Sequence, residues 1–76
     1  MKDTRPKYPN QLKEFRIAKG LKQKAVATIL GFTDDSRVSM WEHGLMVPHL
    51  INLLKLCKLY KVQADELYPE LLEIYK

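Results

Sequence analysis

The 76-residue chain has one cysteine, three glycines and no apolar run approaching the ~20 residues of a membrane span, and each scarcity removes a class of protein. A lone cysteine cannot form an internal disulfide. Cys57 lies within an apolar stretch and reads as a reduced, buried thiol of a cytoplasmic protein. The opening residues, MKDTRPKYPN, lack the apolar core of a secretory signal. The few glycines form no phosphate-cradling loop, and no GxSxG turn is present. His43 and His49 flank Gly44 and Pro48, so they share no helical face, and with Cys57 alone to join them no zinc set emerges. No carboxylate pair is isolated among apolar residues. A chain of this size holds one domain with a simple core, so neither an enzyme nor a metal or cofactor is expected.

What is present is basic charge and helical periodicity. Lys and Arg number 13 against 9 acids, a net charge of +4 that favours a polyanionic partner. Residues 1–9 hold Pro6, Pro9, Lys2, Arg5 and Lys7 and read as a flexible basic arm. Asn10 then stands at an N-cap position ahead of Leu12, Phe15 and Ala18, a first helix to about Lys19. A second runs from Gln23 to Leu30 with Val26, Ala27, Ile29 and Leu30 on one face. A third spans about Asp35 to His43, with Val38 and Trp41 inward. Each glycine falls just past one of these helices.

Pro48 opens a fourth helix to about Tyr60, with Leu50, Leu53, Leu54 and Cys57 as its apolar side and Lys55, Lys58 and Lys61 outside. Asp65 and Glu66 suit the start of a fifth, and Pro69 permits a short restart carrying Leu71, Leu72, Ile74 and Tyr75. The expected architecture is all-α: a five-helix bundle over residues 10–68 with a C-terminal helical extension over 69–76.

The second and third helices are separated by only a few residues around Gly31, the arrangement in which one helix braces another against the major groove. Ala27 is small where the two must approach, and Phe32 supplies an apolar anchor in the turn. The run GLKQKAVATILGFTDDSRVSMWEHGLMVP, continued by LINLLKLCKLYKVQADEL, resembles the Cro/C1-type (XRE) helix-turn-helix family over residues 10 to 68. The resemblance implies a lambda-repressor-like bundle and a DNA-binding transcriptional regulator, acting on double-stranded DNA as a homodimer and located with the nucleoid in the cytoplasm. It brings Gln23, in the Gly-Leu-x-Gln run, onto a backbone phosphate, and it pairs Glu42, in Ser-x-Trp-Glu-x-Gly, with Arg16 of the first helix as an orienting ion pair.

The third helix is then the recognition helix. Asp35, Ser36, Arg37 and Met40 are its base-reading candidates, and Arg37 leads because a guanidinium can bond guanine O6 and N7 together. Lys22, Ser39 and His43 join Gln23 as phosphate candidates. Asp34 and Asp35 equally suit helix capping. The chain departs from the family pattern in three places. The turn before Val38 holds one extra residue. Lys22 and Ala25 replace the usual capping pair of the second helix. The loop after the recognition helix reads Leu45, Met46, Val47 where basic residues are common. These three, or the C-terminal helix, could serve core packing, a dimer interface or a protein partner. The alternative function is therefore a protein-interaction module such as an antitoxin.

Overall fold

The computed structural model describes residues 6–73, apart from the side chain of Leu72. The expectations for Lys2, Arg5, Ile74 and Tyr75 lie outside those residues. Among the described residues six helices follow one another: α1 Leu12–Ala18, α2 Gln23–Leu30, α3 Ser36–Glu42, α4 Leu50–Tyr60, α5 Ala64–Leu67 and α6 Pro69–Glu73. They realise the all-α bundle and its extension, and no strand occurs among the described residues. The longest helix, α4, has 11 residues, and none of those described is long and apolar enough to cross a membrane.

Local chemistry sets the boundaries. The Asn10 side-chain oxygen accepts from the Leu12 amide at 3.0 Å, so this asparagine starts α1 with Gln11 between them. Gly31, at φ 90°, closes α2 in the left-handed region. Its amide donates to the Thr28 carbonyl at 3.0 Å and the Phe32 amide to Ala27 at 2.9 Å, the paired closure that a glycine permits. Lys22 precedes α2 without a side-chain cap, as its chemistry requires. Glu66 reaches back to accept from the Gln63 amide at 2.8 Å and so secures the four-residue α5.

The core consists of Leu12, Val26, Ala27, Leu30, Val38, Trp41, Leu56, Tyr60, Leu67 and Tyr68. Ala27 and the Val38/Trp41 pair are buried as the periodicity required, and Phe32 packs edge-on to Trp41 with ring centroids 5.9 Å apart. Helix α3 packs on α2 and α1, whereas α4, α5 and α6 pack in succession. Three expectations about faces need correction. Ala18 and Ile29 are exposed, because α1 and α2 each turn a narrower stripe inward than their apolar content suggests. On α4 the inward row is Asn52, Leu56 and Tyr60, at a spacing of four, and Leu50 and Leu54 face solvent. Buried Asn52 is tolerated because its amide lies 3.2 Å from Nε2 of His49. Cys57 is half-buried, and that burial pushes its thiol pKa up, which suits an inert side chain.

Residues Pro6–Pro9 carry no regular structure, yet they are tied down. The Tyr8 amide donates to the Gly44 carbonyl at 2.9 Å, and the Asn10 side-chain amide donates to the carbonyls of Tyr8 at 2.9 Å and Trp41 at 2.8 Å. Next to them, the Gln11 amide donates to Leu67 at 2.9 Å. The segment before α1 therefore clasps the C-terminal end of α3 and the end of α5.

Candidate nucleic-acid interface

Helix α3 divides its residues by sequence position alone. At about 100° per residue, Val38, Trp41 and Glu42 fall on one side, and Ser36, Arg37, Ser39, Met40 and His43 on the other. The structure follows this division: Val38 and Trp41 are buried, whereas Ser36, Arg37, Met40 and His43 are exposed and Ser39 is half-exposed. The outward side thus holds every recognition-helix candidate except Asp35, which sits just ahead of the helix and gives its carbonyl to the Ser39 amide.

A buried polar network fixes the inward side. Arg16 Nε donates to Glu42 Oε2 at 2.6 Å and Nη2 to Oε1 at 3.1 Å, a two-pronged pairing. The two side chains are 12% and 3% exposed, so the pair is shielded from the water that weakens surface ion pairs. Arg16 Nη1 donates to the Leu21 carbonyl at 2.8 Å, and Gln23 Nε2 donates to Glu42 Oε1 at 3.0 Å. Helix α1, the first residue of α2 and the last residue of α3 therefore meet at one carboxylate, and Arg16 also ties in the turn before α2. The hydrogen bond to Glu42, with its charge, raises the Arg16 pKa further above its ordinary value. Tyr60 lies in the same field. Burial, reinforced by the Glu42 charge and opposed by Arg16, pushes its phenol up to about 12.

The leading end of α3 is organised by capping. The Asp34 carboxylate accepts from the Ser36 amide at 2.9 Å and from the Ser36 hydroxyl, and these bonds lower the Asp34 pKa. Capping thus comes from Asp34, and Asp35 makes no side-chain cap bond. The Ser36 hydroxyl proton is committed, so its outward offer is as an acceptor. The Arg37 guanidinium stacks over Phe32, 4.7 Å from the ring centroid. Stacking occupies its face and leaves its N–H edge free. Gly31, Phe32, Thr33, Asp34, Ser36 and Arg37 line an open cleft of about 400 Å³ at this end.

At the other end, His43 Nδ1 lies 2.8 Å from the Ser39 carbonyl and 3.3 Å from the Ser39 hydroxyl. A ring nitrogen that close to a carbonyl carries the proton, so neutral His43 has only an acceptor at Nε2. Among the described residues, no group of three or more His, Cys, Asp or Glu side chains is arranged to hold a metal.

The supporting contacts that the sequence did not reveal are those of Asn10, Tyr8 and the Leu21 carbonyl. Asn10 reaches Trp41 across 31 residues, and no local periodicity carries that information. The Leu21 and Tyr8 contacts use backbone atoms, which every residue owns. For Gln23, the bond to Glu42 is likewise a tertiary fact.

A family model described as helix-turn-helix matches residues 12–67 of the chain, from the first residue of α1 to the last of α5. No curated protein and no solved structure matches it significantly.

Proposed function

The chain belongs to the Cro/C1-type helix-turn-helix family of DNA-binding regulators, and from that premise we propose that it is a sequence-specific transcriptional regulator of the cytoplasmic nucleoid that reads the major groove with α3 as a homodimer. The observation that carries this reading is the two-sided character of α3. Its inward residues are locked by Val38, Trp41 and the Arg16–Glu42–Gln23 network, and its outward residues are bare. A reading head must be rigid and unobstructed at once.

Within this proposal Arg37 is the principal base reader, its free edge directed at guanine O6 and N7. Met40, 37% exposed, supplies apolar contact for a thymine methyl, and Ser36 accepts from an exocyclic amine. Asp35 serves a cytosine amine in the same way. Gln23, oriented by Glu42, has a second amide hydrogen for a phosphate oxygen, and Lys22 beside it adds positive charge. Ser39 and His43 complete the phosphate contacts, and His43 donates from Nε2 only as the imidazolium.

Selection of bound duplexes from a random pool, followed by titration of the enriched sequence at several salt concentrations, tests the proposal. A recurrent two-fold sequence should emerge, with log affinity falling against log salt by about 0.9 for each phosphate neutralised. No enrichment over the starting pool refutes it.

A further inference from the structure

The apolar loop after α3 does not pack into the core. Leu45, Met46 and Val47 are exposed, and so are Leu50, Ile51 and Leu54, all between 45% and 65%. On α4, Leu50, Ile51 and Leu54 lie within about 100° of arc and therefore share one face. Six large apolar residues, each 45–65% exposed within one short stretch of the chain, exceed the scattered single exposures of an ordinary monomer surface. Single exposed residues such as Ile17 and Ile29 need no such account.

We propose that this surface, Leu45–Val47 with Leu50, Ile51 and Leu54, binds a second copy of the same chain through a two-fold contact. The inference rests on the DNA-binding dimer proposed above and supplies its interface. Two observations select a second copy as the occupant. First, no charged residue occurs from Gly44 to Leu54, so two chains of net charge +4 meet where neither carries charge, and Lys55 and Lys58 fall at the rim. Nucleic acid has no counterpart for such a face. Second, the surface is self-complementary. Val47 and Leu53 also line a cavity of about 220 Å³, with Tyr68 and Leu71 behind them and almost wholly apolar walls. Leu53 adjoins Leu50 and Leu54 on the helix, so projecting leucines and a hollow that can receive them sit side by side, as a two-fold contact requires of one patch.

The patch begins directly after the turn that ends α3. Pairing through it couples the two recognition helices at a fixed separation and so sets the half-site spacing of the operator. It also explains why this loop departs from the basic pattern common in the family: the positions are used for pairing instead of phosphate contact.

Sedimentation equilibrium of the full chain tests the inference. The wild-type mass should be twice 8.9 kDa. Leu50→Glu combined with Leu54→Glu should return it to 8.9 kDa with unchanged helical circular dichroism, since both side chains are exposed in the single chain. The same double variant should lose about 10²–10⁴-fold in affinity for a two-fold duplex while keeping its affinity for a half-site.

As a second measurement that leaves the leucines untouched, Met46→Cys in a Cys57→Ala background should form a disulfide-linked dimer on mild oxidation. A wild-type mass of 8.9 kDa at the highest soluble concentration overturns the inference, as does a double variant that keeps the dimeric mass. So does tight 1:1 capture of a different protein by this face in place of self-pairing. A monomer that selects one duplex sinks the pairing and leaves the DNA reading intact. A dimer through this face with no duplex preference does the reverse.

Discussion

Replacing Glu42 by glutamine removes one charge and almost no volume, which makes it the cleanest probe of what holds α3. Three hydrogen bonds end on that carboxylate: two from Arg16, at 2.6 and 3.1 Å, and one from Gln23 at 3.0 Å. Glutamine keeps a single acceptor oxygen and turns its amino group toward donors, so at least one N–H is left facing another. Breaking one side of a buried pair costs about 3–5 kcal/mol. Arg16 keeps 12% exposure, so some water can solvate the orphaned guanidinium, and the lower end of that range, about 3 kcal/mol, is expected.

Set against ~4–11 kcal/mol for a domain of this length, that is a large fraction, and it corresponds to a Tm decrease of roughly 10–20 °C. Trp41, the sole tryptophan, is buried and adjacent to Glu42, so its fluorescence in a urea titration reports the transition directly. The double variant Arg16→Met/Glu42→Leu should cost less than the sum of its single changes, because no charge remains stranded. A shift below about 1 kcal/mol for Glu42→Gln would refute the reasoning and place the pair with ordinary surface ion pairs.

Three further outcomes can be measured. Arg37→Ala should leave the fold within about 1 kcal/mol, the worth of its stacking on Phe32, and should flatten discrimination at one base pair by ~1–3 kcal/mol in competition binding. Lys22→Ala should instead weaken all duplexes and reduce the salt slope by about 0.9. Gly44→Ala should destabilise more than Gly31→Ala in chemical denaturation. Both glycines have positive φ, but a Cβ at Gly44 would meet Pro6 Cβ at 2.4 Å and the Tyr8 carbonyl oxygen at 2.9 Å, whereas nothing lies within 4 Å at Gly31.

At alkaline pH, burial raises both Tyr60 and Tyr68 to about 12, above the ~10 of an unfolded chain. The native state therefore holds these protons longer. Their contribution is complete below pH ~10 and is lost as the pH climbs to about 12, up to about 3 kcal/mol for each. Absorbance titration at the phenolate band should find both groups protonated until unfolding intervenes. Tyr68→Phe should raise stability at neutral pH, because its buried hydroxyl has no hydrogen-bond partner.

Much of the architecture could be read along the chain because its signals are local. Gly31 and the small Ala27 locate the bend between α2 and α3, and Pro69 locates the restart of the last helix. The family pattern pairs Arg16 with Glu42, and in the fold the two side chains meet in a two-pronged contact. Periodicity failed where a helix carries more apolar residues than the core can accept. Leu50, Leu54 and Ile29 satisfy every helical spacing rule and still face solvent. Ser36 and Asp34 illustrate the same limit for polar residues: either aspartate before α3 could cap it, and only the turn decides that Asp34 does.

By itself, the sequence determined the all-helical class and the order and approximate ends of its helices, because caps, turns and 3.6-residue periodicity act over a few residues. Tertiary structure alone decided which apolar stripe of α4 turns inward, that Gln23 and the Leu21 carbonyl join the Arg16–Glu42 pair, and that residues 45–47 stay in the open. Those outcomes depend on how much apolar surface the packed helices can cover and on contacts between residues as far apart in the chain as Gln11 and Leu67, neither of which is written in any short stretch of the chain.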